Sequence, residues 1–183
     1  MAHKRELESL GLQVVHNSEF AESSIRSLEQ LKALRPDAGI EAVVVATQMS
    51  FNYLSAYYGS ICVQRGAKLI GITHDSYFIL KEGVRMPGCG TLLTFMETAT
   101  GQKAEMVGKP SPFFMEWARD SEGVEPRKAL MVGDSLNADI HFANNVGMPS
   151  VLVLSGVTKV HEVAKSPHQP TYILPTLADL IVN

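Results

Sequence analysis

The stretch Ala129-Leu130-Met131-Val132-Gly133-Asp134-Ser135-Leu136-Asn137-Ala138-Asp139-Ile140 sets an apolar run directly before two carboxylates. A short apolar run without alternation reads as a strand buried on both faces, the pattern of a parallel sheet flanked by helices. In such sheets ligands collect outside the carboxyl ends of the strands, and Gly133 lets the backbone turn sharply there. Asp134 stands at that end, and Asp139 follows five residues later, close enough to share a site.

Outward from this point, apolar runs alternate with helical patterns along the chain, which favours βαβ units and the α/β class. Upstream, Ile25, Leu28, Leu31 and Leu34 recur at three-residue steps, so a helix is expected from about 22 to 34, ending before Pro36. Ala42 to Ala46 reads as a buried strand, Tyr53 to Arg65 as a helix closed by Gly66, and Lys68 to Thr73 as the next strand, ending in the loop His74-Asp75-Ser76. The segment Lys81 to Gly90 contains Gly83, Pro87, Gly88 and Gly90, and this density of backbone punctuation places a domain junction there. Thr91 to Thr98 is expected to be helical, Ala104 to Gly108 extended, and the residues from Pro112 to about Arg119 a helix that Ser111 can cap. Downstream of the opening stretch, Asn137 to Val146 reads as a helix closed by Gly147 and Ser150 to Leu154 as a buried strand. Tyr172 to Leu174 and Leu177 to Val182 read as a short strand and a closing helix.

The 183 residues are 45% apolar, enough for a core, and a formal charge of −3 with scattered Lys and Arg offers no field for wrapping nucleic acid. No apolar stretch has the length of a membrane span, and the charged start, Met1-Ala2-His3-Lys4-Arg5-Glu6, is unlike a signal peptide. Cys62 and Cys89 form no spaced framework and no CxxC, so they are expected to be buried thiols in a reducing compartment, the cytoplasm by default.

Chemistry concentrates at three positions. Asp134 and Asp139 suit Mg²⁺, a hard cation that prefers oxygen ligands and keeps several waters. Lys109, in Gly108-Lys109-Pro110, supplies a point charge suited to a phosphoryl oxygen. Taken singly, Gly-Asp-Ser is equally an ordinary turn or helix cap, and a lysine is more often a solvated surface residue.

In combination these segments resemble the third and fourth motifs of haloacid dehalogenase-type phosphatases, in particular the 4-nitrophenylphosphatase and phosphoglycolate phosphatase branch. The segments are Gly108-Lys109-Pro110, Val132 to Ile140, Asn145-Val146-Gly147-Met148 and Leu152 to Thr158. The inserted cap domain of that branch is similar, in order, to Ala42 to Val45, Phe51-Asn52-Tyr53, Gly66 to Ile70, Thr73-His74-Asp75, Pro87 to Gly90 and Ala99-Thr100-Gly101. The resemblance implies a partial Rossmann-like parallel sheet plus an α/β cap. Residues 1–88 would form the cap, N-terminally incomplete, and residues 89–183 the C-terminal half of the core. It implies a Mg²⁺-dependent phosphatase of small phosphate monoesters in which Lys109 contacts the phosphoryl group and Asp134 ligates the metal. Asp139 would support that metal directly or through water, and the cap would offer a homodimer surface. Asp75 and His74 would lie on the cap loop that selects substrate, although His74 stands where the family has Asn; the loop reads equally as a polar tip with no ligand. Asn137 and Ala138 replace residues that are often Asp and Thr.

One element of the family pattern does not occur in these residues. The superfamily uses an Asp-x-Asp whose first carboxylate attacks phosphorus, and no two of Asp37, Asp75, Asp120, Asp134, Asp139 and Asp179 are separated by one residue. Loss of a covalent nucleophile costs on the order of 10⁶ in rate in a serine protease. The expectation is therefore a chain that starts inside the cap, binds Mg²⁺ with a divided shell, leaves the Ala129 to Gly133 strand with an open edge and has little or no hydrolytic activity. The alternatives are a non-catalytic fragment acting as a dimerisation or binding module, and an incomplete gene model of an active phosphatase.

Overall fold

Short apolar runs become parallel strands because a strand buried on both faces needs helices above and below it, and the connecting helices carry the chain back to begin the next strand. The computed structural model describes residues 2–20, 25, 27–49, 51–80 and 83–181. Helix α1 (Ala2–Ser9) and helix α2 (Leu28–Ala33) precede strand β1 (Ala42–Val45), helix α3 (Tyr53–Gln64) and strand β2 (Lys68–Gly71). A hairpin of β3 (Tyr77–Ile79) and β4 (Arg85–Pro87) leads into helix α4 (Cys89–Thr100) and strand β5 (Glu105–Met106). Helix α5 (Phe113–Glu122), strand β6 (Met131–Gly133), a π-helical turn at Leu136–Ile140, helix α6 (His141–Val146), strand β7 (Ser150–Val153), helix α7 (Val160–Val163) and strand β8 (Tyr172–Leu174) follow.

Two parallel sheets result. The first runs β1-β2-β5, with Ala42 opposite Lys68 and Ile70 opposite Glu105. Asn52 starts α3 by accepting the Leu54 N–H at 2.7 Å, and the helix lays Ala56 and Val63 against Val45, Leu69, Cys89, Leu93 and Met96. The second sheet runs β6-β7-β8, with Val132 opposite Val151 and Leu152 opposite Ile173. Strand β7, central and buried at all four residues, contributes Leu152 to a cluster with Leu136, Ile140 and Val163. Helices α5 and α6 form a separate cluster of Met115, Ala118 and Phe142, against which Met131, Val146 and Met148 pack. Strand β6 has β7 on one side and no strand on the other among the described residues, and Leu130 before it is 48% exposed.

The segment Lys81 to Gly90, expected to be a domain junction, is followed by further elements of the first sheet and core: β5 pairs with β2, and α4 buries Cys89, Leu93 and Met96. Glycine and proline there mark the hairpin and the entry to α4: Gly83 takes φ +79° in the turn. Lys81 and Glu82 lie outside the described residues. The helix expected from 22 to 34 begins only at Leu28 as α2, because Ser27 is extended and caps it by accepting the Gln30 N–H at 3.3 Å; residues 21–24 and 26 lie outside the described residues. The closing helix expected to reach Val182 is a short 3₁₀ turn at Leu177–Leu180, with Val182 outside the described residues. Both cysteines are free and buried, and no helix among the described residues is long and apolar enough to cross a membrane.

Candidate functional site

The expected single helix after Asp134 begins instead with a wider turn, and that turn builds the site. Ser135 accepts the Ala138 N–H at 3.2 Å, while the Ile140 N–H reaches the Ser135 carbonyl at 3.1 Å, a five-residue π-type bond. The widened turn brings Asp139 back toward the strand end. Its Oδ2 accepts the backbone N–H groups of Asp134 and Ser135, each at 3.0 Å, and its Oδ1 accepts from Lys109 Nζ at 2.6 Å. Asp139 is 6% exposed, so this charge is removed from water and compensated by three donors, one of them cationic.

Asp134 is held differently. Its Oδ2 accepts the Val157 N–H at 2.9 Å and its carbonyl accepts the Thr158 N–H at 3.1 Å, both from the loop after β7. Thr158 Oγ1 in turn accepts the Leu136 N–H at 3.3 Å. Two glycines permit these approaches: a Cβ on Gly133 would strike the Asp139 carboxylate and one on Gly156 the Asp134 carboxylate.

Lys109 is thus paired with Asp139 beside Asp134 at the carboxyl end of β6. Asp75 and His74 are not joined to them by any hydrogen bond or ion pair described. They sit on the exposed loop after β2, where Thr73 Oγ1 donates to Asp75 Oδ2 at 2.9 Å and receives the Asp75 N–H at 3.1 Å.

The donor set fits a hard divalent cation in part. The Val157 N–H takes one oxygen of Asp134, and a carboxylate so held retains lone pairs for Mg²⁺, which is commonly bound by one or two carboxylates with waters and substrate phosphate. Both oxygens of Asp139 are already committed to protein donors. Among the described residues no three His, Cys, Asp or Glu side chains gather closely enough to hold a metal alone. The contributions of Val157, Thr158 and Gly156 were not singled out as site residues from the sequence, although Leu152 to Thr158 carried the family resemblance. Backbone donors and absent side chains leave no chemical signature in a sequence.

A HAD-hydrolase-like family model matches residues 106–180. Human chronophin is 39% identical over 118 residues, 61% of this chain and 40% of that protein. A chloroplastic phosphoglycolate phosphatase of Arabidopsis thaliana is 31% identical over 182 residues, 97% of this chain and 50% of its own length. The solved p-nitrophenyl phosphatase from Archaeoglobus fulgidus superposes with a TM-score of 0.68 at 28% identity, covering 76% of this chain and 55% of that one. The chain therefore spans about half the length of the relatives it matches. The ordered motifs, the parallel α/β architecture and these likenesses together make the chain a member of the haloacid dehalogenase-like hydrolase superfamily, on its 4-nitrophenylphosphatase and phosphoglycolate phosphatase branch.

Proposed function

We propose that these 183 residues form the metal- and phosphate-facing side of a Mg²⁺-dependent phosphatase of small phosphate monoesters such as 4-nitrophenyl phosphate or phosphoglycolate, and that alone they do not turn substrate over. The observation that carries this reading is the cluster of Lys109, Asp139 and Asp134 at the carboxyl end of β6. Bound there, Mg²⁺ would neutralise charge on the phosphoryl oxygens. Asp134 supplies the carboxylate that would hold it. Lys109 presents a fixed ammonium to a phosphoryl oxygen, and Asp139 positions that ammonium and the Asp134 backbone from outside the coordination shell. We assign residues up to about 107 to the cap, with Asp75 and His74 on its substrate-selecting loop, and the remainder to half of the core. The buried thiols favour a reducing compartment such as the cytoplasm.

Hydrolysis through a covalent intermediate needs a nucleophile that these residues do not supply, since they contain no Asp-x-Asp. The chain as it stands is therefore expected to bind orthophosphate in a Mg²⁺-dependent manner, read by ³¹P line broadening, and to lose that binding on Asp134→Ala. With 4-nitrophenyl phosphate and Mg²⁺ it is expected to match the buffer rate. Robust turnover abolished by Lys109→Ala or Asp134→Ala would overturn the proposed inactivity. The edge of β6 that is open among the described residues supports a second reading, a non-catalytic binding module, which predicts no phosphate binding at all.

A further inference from the structure

We infer that Asn145 is a positioning residue for Lys109: it grips the backbone of Lys109-Pro110 while Asp139 grips the side chain. The inference rests on reading Lys109 as the cation that meets the phosphoryl group. Asn145 Nδ2 donates to the Pro110 carbonyl at 2.8 Å, across 35 residues of sequence. Asp139 and Asn145 lie six residues apart on the continuous π-turn and α6, which are anchored by buried Ile140, Phe142 and Ala143. One anchored body therefore holds both ends of the same dipeptide.

The geometry explains why two grips are needed. The Lys109 side chain is 46% exposed, and a lysine ammonium on a flexible four-carbon stem is poorly located by a single ion pair. Within the loop the chain makes its own turn, Ser111 N–H to Gly108 carbonyl at 3.0 Å, which shapes the loop without attaching it to the second unit. The Asn145 bond makes that attachment and sets where the lysine stem begins. Asparagine is a poor helix former, so its presence near the end of α6 disfavours the helix locally while serving a contact outside it. The preceding Asn144 offers an internal comparison, because its Nδ2 donates elsewhere, to the Gln169 carbonyl at 3.1 Å.

The test is the reactivity of Lys109 in the 183-residue chain toward an acylating reagent, read by peptide mass spectrometry, with Lys103 and Lys128 as internal references. Asn145→Ala is expected to raise the Lys109 rate about fivefold, the population change matching a hydrogen bond of ordinary net strength. Asn144→Ala should leave it at the native value. Asp139→Asn, which alters the other grip, sets the upper bound. Should Asn145→Ala fail to fold, Asn145→Asp keeps the size but lacks the donor and is read in the same way. A Lys109 rate unchanged in both Asn145 variants, or raised equally by Asn144→Ala, overturns the inference. Orthophosphate titration of the native chain with Mg²⁺ separates the two claims: no binding overturns the functional reading, whereas the acylation result tests the grip without phosphate.

Discussion

Asp139 is the residue on which most of the site depends, because three donors converge on a carboxylate that is almost wholly buried. Asp139→Ala would leave the Asp134 and Ser135 N–H groups without their acceptor, and a loss of about 3 kcal/mol in urea unfolding is expected. Asp139→Asn keeps an oxygen for the two backbone donors but turns its charge off toward Lys109, so it should cost less stability; equal losses in the two variants would contradict this division of labour. Gly156 makes a complementary case. Its missing Cβ is the space that the Asp134 carboxylate occupies, so Gly156→Ala is expected to abolish Mg²⁺-dependent phosphate binding while the chain retains its far-ultraviolet circular dichroism. Intact binding in that variant would show that Asp134 tolerates displacement. At this scale Asp134 and Asp139 stood out by their place beyond an apolar run and Lys109 by the family resemblance, whereas Gly156, Val157 and Asn145 act through a vacancy, a backbone N–H and a carbonyl contact that spacing does not encode.

Between elements, two side chains tie helix ends to neighbouring segments and make stability depend on pH in separate windows. The Glu97 carboxylate, near the end of α4, accepts from Ala104 N–H at 2.9 Å and Lys103 Nζ at 2.8 Å, and these bonds hold it below the ordinary value of 4.5. Its contribution is present above that value and is lost as pH falls through the lowered one; Glu97→Gln should flatten the stability profile there. His168 stacks on His141 at the start of α6, ring centroids 3.7 Å apart, and burial together with the His141 charge pushes it below its ordinary 6.5. The unfolded chain then takes up the proton first, so this stacking stabilises fully above 6.5 and less as pH falls through the lowered value. Chemical unfolding at pH 7.5 and 5.5, chosen as about one unit either side of the unperturbed histidine, should show a drop in stability that His168→Gln diminishes. An undiminished drop would place the acid sensitivity elsewhere. The helices and strands were legible wherever an apolar period was long, as in α3 and β7. The β3–β4 hairpin was not, because three-residue strands carry too little alternation to read and Pro87 resembles a breaker.

The described residues form two parallel sheets, each with its own core, joined where β5 runs into the Lys109 loop, with the antiparallel β3–β4 hairpin besides. In the second sheet β6 has no strand along one side among the described residues, and such edges recruit other strands. The chain is expected to associate on size exclusion with light scattering, and a cooperatively unfolding monomer would contradict that expectation. Composition and the order of apolar runs by themselves determined the α/β class, the parallel strands and the carboxylate pair at a strand end, because each follows from local periodicity and from where short polar residues interrupt it. Only the tertiary structure decided the rest. The first sheet takes in β5, Glu105–Met106, because that strand finds its hydrogen-bond partner 35 residues upstream, Ile70 opposite Glu105. Asp139 faces Lys109 and two N–H groups because a π-turn, set by packing and capping together, rotates it back onto the strand end. Strand pairing and side-chain convergence depend on distances between residues remote in sequence, which no local pattern specifies.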